Sequence, residues 1–149
     1  MRAIFPAGIH MSRAGRWLGL GAGLLILATA ACASYPQCLG DCVHGRGTLI
    51  LESGEQYVGE FQNGLRHGYG TLTLRSGAHY SGEWQYNVRH GRGTYVWPNG
   101  DKYIGEWRNG KRHGEGTLFY GNGDRETGRW AGGKPAETRF YKAQTAAGG

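Results

Sequence analysis

Large and polar side chains alternate with period two across Tyr57-Val58-Gly59-Glu60-Phe61, the spacing of a β-strand with one face turned inward. Asn63-Gly64 follows and predicts a tight hairpin, because a type I′ turn needs positive φ at both central residues. The unit returns without a gap every 23 residues: YVGEFQNGLRHGYGTLTLRSGAH from Tyr57, YSGEWQYNVRHGRGTYVWPNGDK from Tyr80 and YIGEWRNGKRHGEGTLFYGNGDR from Tyr103. Partial copies flank these three. His44, Gly45, Gly47, Thr48 and Leu49 match His67, Gly68, Gly70, Thr71 and Leu72, while Gly128, Trp130, Gly133 and Lys134 match Gly105, Trp107, Gly110 and Lys111. A fixed period of this kind marks a repeat architecture in which each unit stacks on its neighbours.

The pattern resembles the MORN repeat, approximately YxGEWxNGxxHGxGxLxxxxGxxY, across residues 37–134. The resemblance implies an all-β fold: antiparallel hairpins side by side in one elongated, twisted single-layer sheet. It also carries an association with membranes and anionic lipids, and with protein assembly and dimerisation. The expected organisation is a signal-peptide helix at 1–31, a short tether at 32–36 and a repeat domain at 37–134, followed by a tail at 135–149. Within the repeat domain the copies are 37–56 (partial), 57–79, 80–102, 103–125 and 126–134 (partial).

Counting outward from a two-residue turn at Asn63-Gly64 pairs Phe61 with Arg66, Glu60 with His67, Gly59 with Gly68 and Tyr57 with Gly70. By the same count His90 faces Glu83, His113 faces Glu106 and His44 faces Gln37, so cross-strand pairing accounts for the histidines. Asn87 and Asp41 stand where Gly64 stands, both tolerant of left-handed geometry. A second set of turns at Ser53-Gly54, Ser76-Gly77, Asn99-Gly100 and Asn122-Gly123 joins successive hairpins into a meander. Three ladders of large side chains result: Tyr57, Tyr80 and Tyr103; Phe61, Trp84, Trp107 and Trp130; Leu72, Tyr95 and Leu118.

The first thirty or so residues differ in character. Arg2, Arg13 and Arg16 precede an uncharged run, LGLGAGLLILATAA at 18–31, that is short for a membrane span and has the proportions of an export signal from either Met1 or Met11. It ends in TAAC, which resembles the lipobox of bacterial lipoproteins, with Thr29 where that pattern usually has Leu. The resemblance makes Cys32 the acylated first mature residue, and Ala33 resembles residues that permit outer-membrane sorting. Ordinary cleavage after Ala30 or Ala33 is the rival, giving a periplasmic or secreted product. Export leaves Cys38 and Cys42 in a compartment that allows disulfides, and a bond between them across a three-residue turn is expected to pin the end hairpin.

Charge changes the picture little. The formal net charge is +6, but loss of the three leader arginines lowers it to about +3, which removes most of the case for nucleic acid. Glycine is abundant at 29 of 149 residues, and 12% of the chain is aromatic, which argues for a packed sheet over disorder.

Catalysis is not expected, because every polar group recurs in equivalent copies and a reaction centre needs a unique constellation. No metal-ligand spacing and no cofactor motif is present, and the glycine-rich GNGDRETG at 121–128 coincides with a hairpin turn rather than a phosphate loop. Two surfaces are candidates for binding. One is an aromatic face of Tyr57, Phe61, Tyr80, Trp84, Tyr103, Trp107 and Trp130, which the tail could partly cover. The other is a basic stripe of Arg66, Arg89 and Arg112 along the turn edge, suited to anionic lipid headgroups. The expected function is a non-catalytic envelope scaffold for an unidentified protein, with homodimerisation open. Direct binding of anionic phospholipid or envelope polymer is the alternative, and a role as accessory to an envelope hydrolase or in sugar binding is a weaker one.

Overall fold

A computed structural model describes residues 36–144, so the segment expected to be a signal peptide and Cys32 lie outside the described residues. The described chain is one open antiparallel sheet of ten strands in sequence order, with no helix among these residues. The strands are β1 (Gln37–Gly40), β2 (Arg46–Ile50), β3 (Gln56–Gln62), β4 (Leu65–Thr73), β5 (His79–Gln85), β6 (Val88–Val96), β7 (Lys102–Arg108), β8 (Lys111–Phe119), β9 (Arg125–Ala131) and β10 (Lys134–Tyr141).

The hairpin turns follow backbone chemistry. Asn63 and Gly64 sit at φ 52° and 73°, Tyr86 and Asn87 at 49° and 69°, and Asn109 and Gly110 at 52° and 76°. The end loop departs from the expected geometry: β1 and β2 are joined by five residues, 41–45, and Gly40 rather than Asp41 takes the left-handed conformation, at φ 90°. Asp41 instead accepts backbone hydrogen bonds from Val43 and His44, which hold its carboxyl below the usual range. His44 therefore lies in this loop and does not face Gln37, whose partner is Ile50. Cys38 and Cys42 are joined by a disulfide that spans the strand end and the loop.

The register inside each full hairpin differs from the simple count. Phe61 pairs with Arg66 and Glu60 with His67, but Gly59 then pairs with Gly70 and Tyr57 with Leu72, so Gly68 and Tyr69 form a bulge. Gly68 adopts φ 56°, and the hydroxyl of Tyr57 donates to the carbonyls of Glu60 and His67, so the ring spans the bulge. Equivalent shifts occur in the β5–β6 and β7–β8 hairpins, whereas β4–β5, β6–β7 and β8–β9 pair without interruption. Bulges increase local bend and twist, so the irregularities fall within hairpins and curve the sheet at regular intervals.

The bulge lines up glycines across the sheet. Gly47, Gly59, Gly70, Gly82, Gly93, Gly105, Gly116 and Gly128 are consecutive Cα partners from β2 to β9. A Cβ on Gly70, Gly93 or Gly116 would overlap the ring of Tyr57, Tyr80 or Tyr103, so the missing side chains make room for the tyrosine ladder.

The sheet also extends beyond the expected repeat boundary. β10 runs from Lys134 to Tyr141, pairing with β9 through a shift between Pro135 and Glu137. The residues expected to be a tail over the aromatic face form the edge strand, with Phe140 against Tyr120 at 5.8 Å and still 53% exposed.

Candidate functional site: two faces of one sheet

The aromatic face is a closed core. Tyr57, Phe61, Tyr80, Trp84, Tyr103, Trp107 and Trp130 are all 5% exposed or less, so they are corrected from an exposed binding surface to the packing centre. Each Tyr packs edge-on against the ring of its own strand and that of the next repeat: Tyr80 lies 5.1 Å from Trp84 and 5.3 Å from Trp107. The indole N–H of Trp84, Trp107 and Trp130 donates to the carbonyl of Gly70, Gly93 and Gly116 respectively. Buried polar tips are thereby paired, as burial requires. Burial pushes the Tyr57 and Tyr103 hydroxyls up to about 12 and raises that of Tyr80 further.

The three arginines are likewise not a free basic stripe. Arg66, Arg89 and Arg112 are half-buried, and their guanidinium groups lie 4.5, 4.5 and 4.2 Å from the ring centres of Trp84, Trp107 and Trp130. Each also donates across the repeat boundary to a turn carbonyl: Arg66 to Asn87, Arg89 to Gly110 and Arg112 to Gly133. The turn answers in kind, because the backbone N–H of Asn87, Gly110 and Gly133 donates to the carbonyl of Arg66, Arg89 and Arg112 at 3.0 Å. Stacking and hydrogen bonding together clamp each hairpin to its successor. Burial lowers the pKa of all three guanidinium groups.

The histidines do not form ion pairs with the glutamates among the described residues. Glu83 and Glu106 accept from the backbone N–H of Arg92 and Glu115 within the bulge. His67 instead packs edge-on against Tyr86 at 5.3 Å.

The opposite face carries the feature that counting along the sequence missed. Thr48, Val58, Thr71, Ser81, Thr94, Ile104, Thr117 and Thr127 are consecutive partners across β2 to β9, one continuous row of small side chains. At about 4.8 Å per strand the row spans about 34 Å. Together with the glycine line it floors a groove of about 1120 Å³, whose walls include Leu39, Arg46, Tyr69, Arg92, Glu106 and Glu115. Val58, Ile104 and Tyr69 are 49%, 44% and 61% exposed. Thr71 donates to Ser81 at 3.0 Å, and Thr117 and Thr127 share a hydrogen bond of 2.8 Å, so part of the hydroxyl row is internally paired. The sequence signal was the residue after each repeat Tyr and the Thr after each Gly-x-Gly.

No group of residues with metal-ligating side chains comes together among the described residues. The described residues thus form a ten-stranded open sheet of stacked hairpins with an aromatic core on one face and an open small-residue face on the other. A family model described as the MORN repeat matches residues 57–79, 80–102 and 103–125, and the chain thus carries three MORN repeats. No curated protein matches the chain. The repeats suggest an interaction role, with protein or with membrane.

Proposed function

We propose that this chain is a non-catalytic scaffold of the cell envelope that holds an extended segment of a partner protein in the small-residue groove. The contrast between the two faces carries this reading: one has its large rings and arginines committed to packing, while the other leaves a groove of about 1120 Å³ open. Exposed Val58, Ile104 and Tyr69 offer apolar contact, and the hydroxyls of Thr48 and Thr94, with the acceptor capacity left on the paired Thr and Ser hydroxyls, offer hydrogen bonds along the row. The groove face favours protein over an anionic bilayer because its charges do not sum to a basic surface. Arg46, Arg92 and Arg129 are matched by Glu60, Glu83, Glu106 and Glu115, partly as the exposed pairs Arg46–Glu60 and Arg129–Glu115.

Export places the module in the envelope, and acylation of Cys32 tethers it to the periplasmic side of a membrane. The basic start, the uncharged run and TAAC support this part of the proposal. Mass spectrometry of the mature N-terminus tests it: an acylated Cys32 agrees, and a chain starting at an unmodified Ala31 or Ser34 contradicts the lipid anchor.

The groove itself is tested by Thr94→Arg and Ile104→Arg, which fill it without touching the aromatic core. Crosslinking pull-down from intact cells should lose the partner recovered with the parent protein, while the melting temperature stays within a few degrees. A partner retained by both folded variants contradicts the groove.

A further inference from the structure

Each arginine clamp on the aromatic face is followed by an equivalent position in the 23-residue repeat, and the sequence fills the three positions differently. The cleft between Arg66 and Arg89 is bordered by Leu72, Leu74, Tyr80, Trp84, Val88 and Tyr95 and has a volume of about 350 Å³. One repeat later Tyr95 and Trp97 replace Leu72 and Leu74, their rings packing 4.6 Å apart, with Trp97 also 5.9 Å from the Arg112 guanidinium. At the third position Glu126 stands where the repeats have Tyr, and it accepts a hydrogen bond from Tyr120. Larger rings thus occupy the second position, and a carboxylate enters the third.

The first cleft has two cations, an apolar lining and no acid in its wall. Arg66 uses Nε and Nη2 on Asn87, and Arg89 uses Nη2 on Gly110. Among the described residues this leaves Nη1 of Arg66, and Nε and Nη1 of Arg89, without hydrogen-bond partners, and neither guanidinium forms an ion pair. Half-buried guanidinium groups with unused donors favour a fork-shaped oxyanion, since such bonds strengthen as water is excluded. The volume is that of a small-molecule site rather than a crevice for water alone.

We propose that the Arg66–Arg89 cleft binds a small oxyanion, phosphate or carboxylate, that carries a short apolar chain. The two guanidinium groups take the charge, and Leu72, Leu74 and Val88 take the chain. This site lies on the face opposite the groove and is independent of partner binding there. A soluble organic anion and a phospholipid headgroup share this chemistry and are separated by the test.

The test is calorimetric titration of the purified protein with octyl phosphate below its micelle concentration, against octanol and inorganic phosphate. Octyl phosphate should bind in one-to-one ratio, at least about tenfold more tightly than either fragment. Leu72→Tyr combined with Leu74→Trp transplants the second position's filling and should abolish binding with the fold intact. Arg66→Gln should weaken it about tenfold. Octyl phosphate binding without recruitment to phosphatidic acid vesicles identifies a soluble anion as the source. Recruitment that octyl phosphate competes away identifies the headgroup. Absence of octyl phosphate binding, its persistence in the folded double variant, or vesicle binding that octyl phosphate does not compete away overturns the cleft.

Discussion

The guanidinium of Arg66 lies 4.5 Å from the ring centre of Trp84, a residue that belongs to the following hairpin. Arg89 with Trp107 and Arg112 with Trp130 repeat this geometry, so the clamp between units is made of one cation and one indole at every full junction. The series ends where the arginine position holds Val43 at one end and Pro135 at the other. A repeat array whose neighbours are joined in this way derives much of its stability from the interfaces.

Arg89→Ala should therefore lower stability by about 2 kcal/mol, the sum expected of a half-buried cation–π contact and a charged hydrogen bond. Arg89→Lys should recover less than half, because an ammonium group cannot present a planar fork to the carbonyl while stacked on the ring. Arg92→Ala, on the exposed groove face, should stay within about 0.5 kcal/mol. Urea unfolding midpoints of the three variants measure the differences.

Two glycines should respond very differently to one methyl group. Gly70→Ala drives a Cβ into the Tyr57 ring and should cost at least about 3 kcal/mol or prevent folding. Gly64→Ala meets nothing within 4 Å and pays only for its φ of 73°, about 1 to 2 kcal/mol. Thermal unfolding of the two proteins checks the ranking.

The tyrosine ladder sets an alkaline limit. Burial raises the Tyr57 and Tyr103 hydroxyls from 10.0 to about 12, so the folded state holds these protons more tightly than the unfolded state. Their stabilising contribution is complete below pH 10 and is lost as pH climbs through about 12. Tyrosinate absorbance should rise in step with loss of the folded circular dichroism signal for these residues. Titration of all tyrosines near their ordinary value, with the sheet still folded, would contradict their burial.

Tyr86 occupies a turn position with φ 49° that Asn63 and Asn109 fill elsewhere. Left-handed geometry costs a bulky residue about 1 to 2 kcal/mol, partly offset by its edge-on contact with His67. Tyr86→Asn should raise stability by about 0.5 to 1 kcal/mol, read from the shift in the unfolding midpoint.

The repeat, its 23-residue period and the hairpin turns were legible because glycine and asparagine mark backbone geometry directly. The bulge was not, since it depends on the Tyr57 hydroxyl reaching two carbonyls across the hairpin. Arg66 read as free because its indole partner lies 18 positions further along the chain. β10 was overlooked for another reason: Pro135 and Ala136 break the side-chain pattern, whereas a strand edge needs only backbone groups to pair. The groove row escaped notice because a lone Thr, Ser or Val has no chemical signature, and the row exists only once the register is known.

Site-resolved photocrosslinking in intact cells tests the central claim most directly, with the reactive residue placed in turn at Thr94 and Thr117 in the groove and at Leu74 and Tyr120 on the aromatic face. The account predicts the same protein adduct from both groove positions and none from the aromatic face. Adducts formed only from Leu74 and Tyr120 would contradict it.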